Sequence, residues 1–460
     1  MATRTTRGPV VAGLAAAALL VTGCAGAGGA GSAAPEGSGA PADGDAINVL
    51  MVGNPQMEDL NSLAEEHFTA DTGVEVNITI LPENELRDRV TQDVATQGGQ
   101  YDVVTIGAYE ANIWAGNEWL TDLSPYIEKD AELDADDFID PVVESLQGPE
   151  GQQYAVPFYG ESSFLMYRKD LFEANGLVMP ERPTWDEVAG FAATLDGSEP
   201  GLAGICLRGL AGWGEVFAPL TTVVNTYGGT WFTEDYEAQV NSPEFKAATQ
   251  FYVDLVTQYG EDGASQAGFT ECLNAFGQGE VAMWYDATSA AGSLEDPEVS
   301  TVAGNVGYAF APVKETETSG WLWAWSFAVP ETSEKKDAAY EFVSWASSAE
   351  YEQLVGEELG WSRVPSGKRE STYAIPEYQE AAGAFADITL QAIKEAKPND
   401  PGVQPRPTVG VQYVAIPEFS DLGTRVAQEV SAAIAGQQTV DEALEKGQTY
   451  AEEVAADYQE

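Results

Sequence analysis

Apolar residues first gather in a continuous run, INVLMV at Ile47–Val52, and then recur at helical spacing at Met57, Leu60, Ala64 and Phe68 before Gly73. The run predicts a buried strand, and the spacing predicts a helix that stops at the glycine. Residues 74–80 alternate apolar with polar, Leu86, Val90 and Val94 recur every four positions, and residues 102–106 close the series as another apolar run. This β-α-β-α-β order predicts right-handed crossovers and a parallel sheet. Ligands of such sheets lie beyond the carboxyl ends of the strands, which makes Asn54, Gln56, Tyr109 and Glu110 candidates from position alone.

A second α/β region begins near Phe158. Thr184 and Glu187 form a predicted capping box at one helix start, and Thr439 with Glu442 does the same after a break at Gly436. The segment GWLWAWSFAVP (residues 320–330) places Trp321, Trp323 and Trp325 at every second position. In a strand these indoles share one face, about 7 Å apart. Both faces of the segment are apolar, so the tryptophans either fill core or form an aromatic platform for a ligand.

The amino-terminal pattern is different in kind. Arg4 and Arg7 precede an apolar run over residues 10–21 that is too short to span a bilayer, as in a secretion signal over residues 1–23. Val21-Thr22-Gly23-Cys24 resembles the bacterial lipobox, with Cys24 as the lipidated residue, and the Gly, Ala, Ser and Pro of residues 24–46 read as a flexible tether. The expected product is a monomeric body held outside the cytoplasm, anchored to the membrane by lipid only. Lys and Arg number 21 against 74 Asp and Glu, a net charge of −53. Repulsion excludes nucleic acid as a natural partner. Cys206 and Cys272 remain in an oxidising compartment, either as a disulfide or as two buried thiols.

Catalytic signatures are few. His67 is the single histidine, which removes histidine triads and the usual zinc sets. No dinucleotide fingerprint, phosphate loop or nucleophile elbow is present, and the acids at Asp134, Asp136 and Asp137 lack calcium-loop spacing. No cofactor or metal is expected. Paired carboxylates leave an exported glycosidase as an alternative.

Taken in order along the chain, the lipobox, the opening unit, YDVV (101–104), YAVPF (154–158), MYRKDLF (166–172), PTWDE (183–187) and GEVAM (279–283) resemble the extracellular solute-binding proteins, family 1, of ABC sugar importers. PFYGESS (157–163) and RGLAGWGE (208–215) resemble the branch that binds polyols such as sorbitol or mannitol. The resemblance implies a two-lobed α/β fold of the periplasmic-binding-protein kind, each lobe a mostly parallel sheet flanked by helices, with a hinge between them. Mapped here, lobe 1 is residues 47–156 plus 287–332 and lobe 2 is 157–286 plus 333–460. The crossovers fall near Val156 and Pro157 and near Asp286 and Ala287. The chain then returns to lobe 1 for GYAFAPV (307–313) and GWLWAWSFAVP, and stays in lobe 2 after Thr332. The resemblance also implies that a sugar or sugar alcohol is captured between the lobes and delivered to the permease subunits of an importer.

A hydroxyl-rich ligand needs charged hydrogen-bonding groups and aromatic faces. Tyr159 and Glu161 follow a crossover, Arg208 and Trp213 occupy the glycine-rich RGLAGWGE, and Asp286 is favoured by the family pattern. Trp321 and Trp323 are expected at the ligand, and Trp325 deeper in the core. Arg363 and Arg406 either fork a diol or pair with one of many acids. Tryptophans beside acidic charge also suit a betaine-type cation, a third possibility.

Overall fold

The computed structural model describes residues 46–459. The predicted signal, Cys24 and the tether up to residue 45 lie outside them. Within the described residues the strands are β1 (Ile47–Val52), β2 (Val76–Leu81), β3 (Val103–Ile106), β4 (Val156–Glu161), β5 (Ser163–Arg168), β6 (Met283–Ala287), β7 (Val306–Phe310) and β8 (Trp323–Ala328). They form one sheet of order β2-β1-β3-β8-β4 and a second of order β6-β5-β7.

The opening unit folds as its periodicity predicts. β1 pairs in parallel with β2 and β3. Met57, Leu60, Ala64 and Phe68 are all buried, although the helix Pro55–Leu63 loosens into a π-helical turn, Ala64–Thr69, before Gly73 ends it with φ 78°. Both capping boxes form, at Thr184 and at Thr439.

The two-lobed α/β arrangement is present, with strand directions that differ in detail from the expectation. β8 runs antiparallel between β3 and β4, and β5 is antiparallel to both β6 and β7. The smaller sheet is therefore not parallel among its named strands. Strand direction leaves no mark on a short apolar run, because both faces of these strands are buried whichever way they point.

Three expected boundaries also move. β4 belongs to the larger sheet, so the first crossover falls at Ser162, between β4 and β5, and not at Val156 and Pro157. β7, within GYAFAPV, pairs with β5 in the smaller sheet, so the return to the larger sheet comes only between β7 and β8. The chain does not leave lobe 1 for good after Thr332: the helix Lys336–Ser347 packs on β4, with Phe342 5.9 Å from Phe327 and 5.3 Å from Phe68 between ring centres. The last helices, Phe419–Ile434 and Val440–Ala455, pack on Pro243–Tyr259 beside the smaller sheet.

Cys206 and Cys272 are joined, with their α-carbons 5.7 Å apart and a sequence separation of 66. In the chain-entropy model a closed loop of that length contributes about 4 kcal/mol. The bridge fastens the strand-like segment two residues before Arg208 to the helix Phe269–Gly277. Among the described residues no helix is long and apolar enough to cross a membrane.

Candidate functional site

The carboxyl ends of β1 and β2, the end of β4 and the start of the segment after β6 converge on a cleft of ≈ 380 Å³. Its wall includes Asn54, Glu83, Tyr159, Glu161, Arg208, Glu215, Phe269, Ser289 and Trp325. The register of β4 on β8 explains why acid and indole meet there. Tyr159 lies opposite Trp325 and Glu161 opposite Trp323, and directly opposed residues of antiparallel strands share a face.

Asn54 caps the helix after β1, its Oδ1 accepting from Met57 N at 3.0 Å while its Nδ2 donates to the Tyr159 hydroxyl at 3.0 Å. Glu83 opens the helix Glu83–Ala95 directly after β2, and Arg87 stands one turn further. The Arg87 guanidinium donates to Glu83 at 2.8 and 3.0 Å and to Glu110. It also lies 4.1, 4.9 and 5.2 Å from the rings of Trp213, Trp325 and Trp323. The indoles thus stack around a cation that the protein supplies itself.

Trp323 approaches the backbone so closely that a Cβ on Gly107 would sit 1.9 Å from its ring. The Gly107→Ala variant is expected to push the indole aside and lose about 1–3 kcal/mol, as overpacking does. A lowered melting temperature together with a shift in tryptophan emission would register this, and unchanged values of both would contradict it.

On the opposite wall Arg208 holds Asp286 by two hydrogen bonds, Nε to Oδ2 at 2.9 Å and Nη2 to Oδ1 at 2.6 Å, and its Nη1 donates to the Gly214 carbonyl at 2.9 Å. Glu215 lies 3.5 Å from Nη1 and Glu83 4.0 Å. A Cβ on Gly214 would meet Glu83 Oε1 at 1.9 Å, so the glycine in RGLAGWGE lets this segment reach the facing helix. Burial pushes the carboxyls of Glu161 and Glu215 up to about 8, against the partial pull of Ser289 and Arg208. Burial thus favours the protonated form of both, and a protonated carboxyl donates as well as accepts.

Of the residues singled out from the sequence, Asn54, Tyr159, Glu161 and Arg208 line the cleft. Trp213, Trp321 and Trp323 line a smaller recess that shares Glu83, Glu161, Arg208 and Trp325 with it. Gln56 faces a separate small void behind Tyr159 and donates to the Ser289 carbonyl at 2.9 Å.

Five others stand outside the cleft wall. Tyr109 is buried against Trp213, Tyr413 and Phe419, its hydroxyl 3.1 Å from the Ile416 carbonyl and accepting from Ser420 N at 3.0 Å. Glu110 is committed to Arg87 and to Gly107 N. Asp286 has no exposed surface and orients Arg208 from behind. Arg363 pairs with Asp59 and, at 3.7 Å, with Asp296. Arg406 donates to the Asn225 side-chain oxygen at 2.9 Å and to the Gly410 carbonyl at 3.2 Å, so of the two arginines it is Arg363 that takes the acid-pairing alternative.

Sequence reasoning missed Trp325, Glu83, Arg87 and Glu215. Trp325, expected in the core, lines both cavities. Glu83 follows a strand just as Asn54 does, and the same positional rule would have found it. Glu215 was within the quoted RGLAGWGE, but nothing in a chain so rich in acids separates it from its neighbours.

Two sheets flanked by helices around one polar, indole-walled cleft define a solute-binding protein. A family profile described as bacterial extracellular solute-binding protein matches residues 54–353, and the chain belongs to that family. It is 42% identical over 405 residues to the mannitol-binding protein of Pseudomonas aeruginosa, covering 88% of this chain and 92% of that one. It is 26% identical to the erythritol/L-threitol-binding protein of Mycolicibacterium smegmatis, covering 74% and 76%. The fold matches an ABC transporter solute-binding protein from Agrobacterium vitis S4, solved with bound D-mannitol, at a TM-score of 0.87 and 46% identity over 90% of this chain and 98% of that one. The relatives are binding proteins, and their family acts outside the cytoplasm.

Proposed function

We propose that this chain captures a sugar alcohol, a hexitol such as D-mannitol, in the cleft and hands it unaltered to the permease of an ABC importer, with Cys24 carrying the lipid that holds it at the membrane. The observation that carries this reading is the hydrogen-bonding character of the wall. Arg208 is held by Asp286 and Arg87 by Glu83 and Glu110, so neither arginine is left unpaired, and burial favours the protonated form of Glu161 and Glu215. What the wall offers is donors, acceptors and an indole face, the complement of an uncharged, hydroxyl-rich chain. The mannitol-bound relative supports the same class.

Ligand touching both walls binds the closed form better than the open one, and that differential affinity shifts the population toward closure. A glycosidase would need two carboxyls whose affinities for a proton are pushed apart. Here both are pushed the same way. A betaine would place its cation beside Arg208. Titration calorimetry of the lipid-free protein is expected to give binding heat with D-mannitol and none with sn-glycerol 3-phosphate or glycine betaine. An absence of binding to any alditol, or cleavage of an oligosaccharide by the protein, would remove this reading.

A further inference from the structure

Beyond the main cleft, the small recess of ≈ 30 Å³ is bounded by Trp321, Trp323, Trp213, Arg87 and Gln412. Two of its residues carry polar atoms that the fold leaves unused. Trp321 is 1% exposed and its indole Nε1 has no hydrogen-bond partner, and Gln412 is 4% exposed with its Oε1 likewise unpartnered. Buried polar atoms without partners are rare in folded proteins, and each costs stability until something supplies the missing bond. One is a donor only and the other an acceptor only.

Both residues line the recess, and a hydroxyl is the group that can accept from an indole N–H and donate to an amide oxygen. The volume suits one such group: a void of about 10–15 Å³ already accommodates a water, and ≈ 30 Å³ leaves space for the carbon that carries the oxygen. The recess opens on Glu161, Arg208 and Trp325, which are shared with the main cleft, so a chain lying in the cleft can place its end there. We infer that Trp321 and Gln412 form an end-reading subsite that takes the terminal CH2OH of an open-chain alditol and discriminates against chains ending in a methyl group. The inference rests on the alditol reading above and adds to it which end group is read and by which atoms. Among the other polar residues of the recess, Arg87 is already bonded to Glu83 and Glu110 and Arg208 to Asp286, while Glu161 accepts from Ser289.

The test compares D-mannitol with 1,6-dideoxy-D-mannitol, in which both ends are methyl groups so that the molecule cannot present a hydroxyl by turning round. Calorimetry on the unsubstituted protein is expected to show the dideoxy compound about 10- to 100-fold weaker, the usual consequence of leaving buried polar atoms unpaired. Trp321→Phe keeps a ring and removes the N–H, and Gln412→Met keeps the length and removes the acceptor. Each variant is expected to bind D-mannitol more weakly and to lose most of the preference over the dideoxy compound. Melting curves of both variants establish that they fold, and the ligand comparison on the unsubstituted protein needs no variant at all. Equal affinity of that protein for the two compounds would overturn the end-reading subsite while leaving alditol capture intact. Binding of neither compound would instead overturn the alditol reading, and the subsite with it.

Discussion

The Arg208→Ala variant is expected to lose ligand binding by at least about 100-fold, the scale on which a desolvated, hydrogen-bonded charge contributes to a complex. It is also expected to lose about 3–5 kcal/mol of folding stability. The two losses have different origins. Arg208 presents its guanidinium to the cleft while two of its nitrogens are occupied by Asp286, a residue with no exposed surface. Removing the cation leaves a carboxylate buried without a counter-charge, which is the costly half of breaking such a pair. The Arg208→Met/Asp286→Asn double variant separates them. It cancels both charges, and its single amide oxygen keeps an acceptor for one of the two donors that Asp286 serves, Trp284 Nε1 at 3.1 Å from Oδ2 and Ala287 N at 2.7 Å from Oδ1. Denaturant titration should show most of the stability restored, while calorimetry should show binding still absent. Recovery of binding in the double variant would mean that Arg208 serves the fold alone, and the assignment of this wall would fail.

That Arg208 and Asp286 divide their work, one at the ligand and one behind it, was not legible in the sequence. RGLAGWGE and the strand ending at Asp286 each pointed to the cleft, yet which side chain lines a wall depends on the packing of elements 78 residues apart. What periodicity does encode is the element and its buried face. The opening five elements and the tryptophan strand follow from it because one set of positions must leave water. Tyr109 shows the limit. It lies past β3, as a ligand residue should, but its helix faces the aromatic cluster around Trp213 and Phe419 and the side chain is absorbed there. Lobe membership was misplaced for a related reason. β7 and β8 are both apolar runs, and only the partner strand decides the sheet to which each belongs. Trp325 escaped because a strand buried on both faces gives no sign of which buried face meets a cavity.

Between pH 6 and pH 8 the protein is expected to lose stability as the pH rises, and the cause is the pair of carboxyls at the cleft. In the native state burial holds Glu161 and Glu215 near 8, against an ordinary glutamate value of 4.5. The unfolded chain therefore releases these protons near pH 4.5 while the folded chain keeps them until about 8. Over that interval the native state binds more protons than the unfolded state, so the free energy of unfolding falls as pH increases. The stabilising effect is complete below about 4.5 and exhausted above about 8, and each group contributes a slope of about 1.4 kcal/mol per pH unit. Ordinary carboxylates are already ionised in the window from 6 to 8 in both states, and the chain has a single histidine. Burial also raises Asp59 and Glu261, which act in the same sense. Lys368, lowered to about 8 by burial, acts in the opposite sense and only above that pH. Guanidinium unfolding at half-unit intervals should give a falling midpoint across the window. In Glu161→Gln, whose amide cannot ionise, the slope should drop by about the share of one group. Affinity for the alditol should follow the same curve, since a hydroxyl that accepts from the Glu161 carboxyl loses its donor once the proton leaves. A flat profile in the unsubstituted protein, or one that Glu161→Gln leaves unchanged, would mean that Glu161 is ionised in the folded state.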